Sequence, residues 1–265
     1  MIFNNNSQNN PQQFHSIIAI GNPIIDIVAN INKETINKFG LKWGETVFTN
    51  QINKPFFQEI QKESEVTFIP GGAIQNTLRI MAWCISKDPN TSINDYKLTM
   101  LGSVGDDINK DKIINSLNLS NIKPLFEIIP NTKTSRCAVG IYNKERCLLS
   151  DIIASNYLSE NFISQHLDEI DSHDILLIEG YFLKEKFELC RKLCERFRQL
   201  NKYIVLTLCD PVITEFHNEQ IIEIANNADM VVGNFGAAQI LAGKKGTFSE
   251  TFLEIHKKFL QRDRL

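Results

Sequence analysis

From residue 175 onward the sequence keeps a rhythm that few architectures accept. Short apolar, β-branched runs fall at 175–178, 203–208 and 230–232. Each is followed by a segment of helical length and amphipathic pattern, at 184–200, 215–226 and 235–241, with Gly243 closing the last. Strands and helices in strict alternation predict βαβ units: a parallel sheet with helices on both faces. The first half fits the same plan. Ser16-Ile17-Ile18-Ala19-Ile20-Gly21 is apolar along almost its whole length, as strands buried on both faces are. A strand at 98–101 leads through Gly102-Ser103-Val104-Gly105-Asp106-Asp107 into a helix at 108–117, and 122–129 is extended. Residues 136–142 and 146–150 flank Asn143-Lys144-Glu145 and predict a hairpin. Helices are expected at 33–39, 55–63, 160–170 and 248–260, with a short strand at 46–49. The last helix carries Phe252, Ile255, Phe259 and Leu260 on one side.

Ligands of such sheets gather at the carboxyl ends of the strands, so the residues that follow the strands carry the functional argument. Val66-Thr67-Phe68-Ile69 reads as a strand, Pro70-Gly71-Gly72 as a stiff turn, and Ala73 onward as a helix. Leu78, Ile80, Met81, Trp83, Cys84 and Ile85 are expected on its buried face. Adjacent glycines let a backbone approach a ligand closely, and a helix N-terminus adds a partial positive charge. Asn76 falls in the first turn, aimed the same way. Alone, such a turn marks any strand-to-helix junction. Gly21-Asn22-Pro23 breaks the first strand, and Asp26 then sits inside the apolar run Ile24-Ile25-Asp26-Ile27-Val28. A carboxylate there needs a partner, either a turn N–H or the hydroxyl pair of a ligand. The Glu179-Gly180-Tyr181 turn and Asp210 also follow strands.

The bulk numbers exclude other classes. A chain of 265 residues with net charge −3 has no electrostatic grip on nucleic acid or an anionic membrane. No apolar run approaches the length of a bilayer span, and residues 1–13, rich in Asn and Gln, are no secretory signal. Residues 1–15 are expected to form a disordered tail and 16–265 one domain. The six cysteines form no Cys-x-x-Cys pair, which suits reduced thiols in the cytoplasm, and the five histidines show no metal-ligand spacing.

Taken together, Gly21-Asn22-Pro23-Ile24-Ile25-Asp26-Ile27, Gly71-Gly72 with Gln75-Asn76, Gly102-Ser103-Val104-Gly105 with Asp107, and Cys137-Ala138 resemble the ribokinase-like (PfkB) family. So do Arg146 through Asn156, Gly180-Tyr181-Phe182-Leu183, Leu208 with Pro211, and Val232-Gly233-Asn234. Within that family the likeness is to the adenosine kinase group. The resemblance implies an α/β fold: a three-layer αβα sandwich with a parallel central sheet and a small β lid drawn from parts of 24–68 and 122–150. It implies phosphoryl transfer from MgATP to a sugar hydroxyl. Asp26 would take the ribose diol, with Gly71, Gly72 and Asn76 on the same sugar. Asn22 would lie near the nucleoside, Tyr181 would pack on the base, and Arg146 would reach phosphate.

The chain also departs from the family pattern. The Asn-x-x-Glu motif reads Asn234-Phe235-Gly236-Ala237, so the metal-organising Glu is Ala237. The Asn of an Asn-x-Ser motif is Thr207, followed by Cys209, and a closing glycine is Lys110. The Gly-Ala-Gly-Asp motif, which carries the catalytic base and anion hole, does not occur. The expectation is therefore a fold lacking its C-terminal part, with no catalytic residues, metal or cofactor of its own. Such a chain would be a pseudokinase kept as a nucleoside-binding or scaffold module, with adenosine or a related nucleoside as ligand. A protein partner would cover the exposed sheet edge, in a cytoskeletal or other large assembly. The alternative is an incomplete chain of an active, MgATP-dependent adenosine kinase. A kinase for another sugar and a purely structural protein are the remaining readings.

Overall fold

In the computed structural model, described for residues 14–44 and 46–259, the described residues form eleven strands. They are β1 (Ser16–Ile20), β2 (Ile24–Asn30), β3 (Thr46–Phe48), β4 (Val66–Gly71), β5 (Lys97–Gly105), β6 (Ile122–Ile129), β7 (Ser135–Tyr142), β8 (Glu145–Asp151), β9 (Ile175–Glu179), β10 (Tyr203–Thr207) and β11 (Met230–Val232). Six make a wholly parallel sheet in the order β11-β10-β9-β1-β5-β6. Neighbouring residues of β1 point to opposite faces. Ile18 and Ile20 pack with Phe182, Leu193 and Phe197 of helix Gly180–Gln199, and with Ile221 and Ile224 of Asn218–Asn227. Ala19 packs on the other side with Ile74 and Leu78 of helix Ala73–Lys87 and Ile113 and Leu117 of Ile108–Leu119. These are the three layers that the alternation predicts.

The other five strands form a smaller mixed sheet, β3-β8-β7-β2-β4. Its outer face is closed by helices Lys33–Lys38 and Phe56–Ile60 through Ile36, Phe56, Phe57 and Ile60. The chain enters this sheet from β1 through Gly21-Asn22-Pro23 and leaves it from β4 into helix Ala73–Lys87. Residues 122–129, expected in the lid, instead pair with β5 at the edge of the large sheet. An edge position also explains how β6 tolerates Pro124.

Several expectations are corrected by tertiary context. The strand before the Gly-Gly pair does not stop at Ile69. Pro70 and Gly71 continue it, paired with Ile25 and Ile24, because β4 is an edge strand where a proline is tolerated. Likewise Gly102 to Gly105 extend β5 against β6. Asp107 caps the next helix through the N–H groups of Asn109 and Lys110 and also holds Thr134, so its role is structural. Helix Ala73–Lys87 buries Ile74, Gln75, Leu78 and Ala82, whereas Ile80, Trp83 and Cys84 are exposed, the first two at 62% and 61%. The expected helix at 160–170 is broken at His166, and the one at 184–200 begins at Gly180 with a kink at Lys186. The tail expected at 1–15 lies outside the described residues except for Phe14 and His15. Those two are held, by the Tyr203 ring and the Asp174 carboxylate respectively. No helix of the described residues is long and apolar enough to cross a membrane. All six cysteines are free thiols.

Candidate functional site

A cavity of about 410 Å³ opens where the carboxyl ends of β1 and β9 face the small sheet. Its wall includes Asn22, Asp26, Gly72, Asn76, Arg146 and Tyr181, six of the seven residues that the sequence nominates. They come from five parts of the fold: the bend after β1, strand β2, strand β8, the start of helix Ala73–Lys87, and the start of helix Gly180–Gln199.

Asp26 reaches the cavity because β2 alternates. Ile27 is buried in the core under the small sheet and Ile25 in the core around helix Ala73–Lys87, while Ile24 belongs to the small apolar cluster with Cys137 and Val139. Asp26 shares the Ile24 side and lines the same cavity as Ile24 and Cys137. Burial pushes its carboxyl up to about 6, with Arg146 pulling it back down. The nominated residue missing from the wall is Gly71. Its place is behind Asp26, since a Cβ on Gly71 would collide with the Asp26 carboxylate. Gly72 adopts φ +97, a conformation that favours glycine, and a Cβ there would strike the Asn22 carbonyl oxygen. The two glycines therefore serve packing between the bend, β2 and the helix start. Asn76 is exposed to the cavity, while its neighbour Gln75 is fully buried.

Tyr181 presents its ring to the cavity and donates its hydroxyl to the Asp210 carboxylate at 3.1 Å, and burial raises its pKa strongly. Asp210 in turn caps helix Pro211–Phe216. Arg146, at the start of the returning arm of the hairpin, stands opposite Ile141 of β7. The turn that aims it carries Asn143 at φ 48 and Lys144 at φ 67, the paired left-handed conformation of a tight hairpin.

Sequence reasoning did not nominate Glu179 as a site residue. It ends β9, is 1% exposed, lines the cavity and accepts the Asn22 backbone N–H at 2.9 Å. Burial pushes its carboxyl up to about 7. Its available signal was an acid at the end of an apolar parallel strand. A related signal, an acid inside an apolar run, singled out Asp26.

The phosphate end expected around Asn234 is arranged differently. The Asn234 side chain accepts the Ala237 N–H at 2.9 Å, capping helix Phe235–Ala242, and donates to the Cys209 carbonyl. The Ala237 methyl is wholly buried. Thr207 ends β10 and Cys209 follows at φ 61, a left-handed conformation uncommon outside glycine and asparagine. Beside it, β11 is an edge strand, and a groove of about 240 Å³ runs between it and the two last helices, lined by Val231, Phe235, Phe252, Ile255 and Phe259.

A parallel sheet, a small sheet over its carboxyl ends and a polar cavity between them define a class. Residues 37–263 match the model of the pfkB family carbohydrate kinases, and the chain belongs to that family. Within it the chain is similar to adenosine kinases. It is 27% identical to the adenosine kinase of Dictyostelium discoideum over 244 residues, which cover 91% of this chain and 69% of that one. It is 25% identical to that of Schizophyllum commune, over 93% and 70% respectively. Among solved structures, adenosine kinase from Schistosoma mansoni in complex with adenosine aligns with TM-score 0.78 at 23% identity, covering 91% of this chain and 68% of that one. Anopheles gambiae adenosine kinase aligns with TM-score 0.77 at 20% identity, over 86% and 66%. The structural likeness is one of fold, and the chain spans about two thirds of the length of these relatives.

Proposed function

We propose that this chain binds a nucleoside of the adenosine type in the cavity between the two sheets. The observation that carries the reading is the convergence of Asn22, Asp26, Asn76, Arg146 and Tyr181 on one wall of one cavity. A carboxylate beside an amide suits a ribose diol, and an aromatic face suits a base. The kinship with adenosine kinases favours adenosine over free sugars. Calorimetry with adenosine, ribose and fructose tests this. Heat with adenosine alone is the expected result; no heat and no thermal shift with adenosine would overturn it.

Phosphoryl transfer is a separate matter. It depends on positioning and on neutralising phosphate charge. Magnesium takes oxygen ligands; Ala237 offers none, and the Asn234 side chain is spent on the helix cap. MgATP does not fit these residues. We infer that residues 1–265 hold the nucleoside without phosphorylating it. AMP formation from adenosine and ATP by these residues, at a rate well above background, would instead favour an active adenosine kinase. The groove beside β11 supports a further element of this reading. It suits one added strand, pairing with the edge and filling the groove with apolar side chains. Hydrogen exchange of the Val231 amide, which faces the open edge while Val232 faces β10, tests it. Protection appearing only with the added strand supports the pairing, and unchanged exchange counts against it.

A further inference from the structure

We propose that Glu179 is a specificity residue of the cavity, anchored by the Asn22 backbone N–H and taking a hydrogen-bond donor of the bound nucleoside. The inference rests on the nucleoside reading above and names what that site selects. Three observations point to it. First, Glu179 is buried, at 1% exposed, yet is among the residues that line the cavity. Second, room is made for it. A Cβ on Gly21 would collide with Glu179 Oε2, so the bend after β1 is built around this carboxylate. Third, it has no cation. The groups that act on it are the Asn22 N–H donors, and its own field is felt by Tyr181, Cys190 and Cys209, none of them positive.

A buried carboxylate without a countercharge costs stability. One held at that cost on the wall of a cavity is a candidate for recognition rather than packing. The backbone and side-chain donors of Asn22 leave accepting capacity on the group, since a carboxylate has about four lone-pair sites. The matching ligand group is an O–H or N–H donor: a ribosyl hydroxyl or the exocyclic amine of the base. A ligand that instead presents an acceptor at this point leaves two acceptors face to face.

The test is a ligand-by-mutant cycle read by calorimetry. The wild type and Glu179→Gln are titrated with adenosine, with purine riboside, which lacks the amine, and with 2′-deoxyadenosine and 3′-deoxyadenosine. Glutamine keeps the size and an acceptor for the Asn22 N–H but removes the charge that strengthens the ligand's hydrogen bond. Expected are a thermal midpoint in Glu179→Gln no lower than that of the wild type and adenosine affinity weakened about tenfold. That loss should vanish for the one analogue missing the donor that Glu179 takes, which separates amine from hydroxyl. Glu179→Ala should lose adenosine affinity further, because the bend also loses its anchor. If the wild type binds adenosine and Glu179→Gln weakens every ligand equally or none, this inference fails and the nucleoside reading stands. If the wild type binds none of the four, both fail.

Discussion

Asp26 and Gly71 show how closely function and stability oppose each other at single residues. A carboxyl moved from 3.8 to about 6 costs the folded chain on the order of 3 kcal/mol at neutral pH. Asp26→Asn keeps the shape and removes the charge. It is expected to raise the midpoint of urea unfolding at pH 7.5 while weakening adenosine binding by about 10- to 100-fold. Gly71→Ala should act oppositely on stability but in the same direction on binding, because its new methyl occupies the position of the Asp26 carboxylate. It should lower the unfolding midpoint and displace Asp26 from the cavity, with adenosine affinity falling alongside. Neither effect could be assigned from the sequence. Asp26 was legible as an acid in an apolar strand, but the room that Gly71 leaves for its carboxylate was not.

At the scale of elements, helix Ala73–Lys87 was legible as a helix but not as to its faces. Its apolar residues cover more than one face, and only packing against Ala19 and Met100 selects Ile74 and Leu78. Leu78→Ala should therefore cost about 2–5 kcal/mol in denaturant unfolding, and Trp83→Ala under about 1 kcal/mol. Equal losses would place the helix the other way round. The hairpin β7–β8 was legible almost to the residue, because a two-residue turn is decided locally. Lys144 nevertheless adopts a conformation that suits glycine. Lys144→Gly should stabilise by roughly 1 kcal/mol and leave Arg146 in place, checked by thermal unfolding with and without adenosine.

For the whole molecule, the buried titratable groups set the pH response. Asp26 and Glu179 have raised carboxyl pKa values, so their contribution is present at low pH. It is lost as pH rises through about 6 and about 7. His173 works the other way. Burial lowers it to about 4, so the unfolded chain takes up a proton first as pH falls below 6.5. Glu169, held at about 2 chiefly by its hydrogen bond from Lys123, costs stability only on stronger acidification. With two groups against one, stability should be higher at pH 5.5 than at pH 8. The double variant Asp26→Asn, Glu179→Gln leaves His173 acting alone and should be the more stable at pH 8, measured by urea unfolding at both values.

The sequence by itself determined the kinds of element, their order, the parallel sheet and the acids at strand ends. Periodicity, turn chemistry and apolar runs are local properties, read over a few residues. Only the tertiary structure decided that Pro70 lies in an edge strand, that residues 122–129 belong to the large sheet, and that Glu179 stands under Asn22. That last hydrogen bond joins residues 157 positions apart. Its existence depends on β9 lying beside β1 in the sheet, and strand order is set by the packing of the whole chain rather than by any one stretch of it.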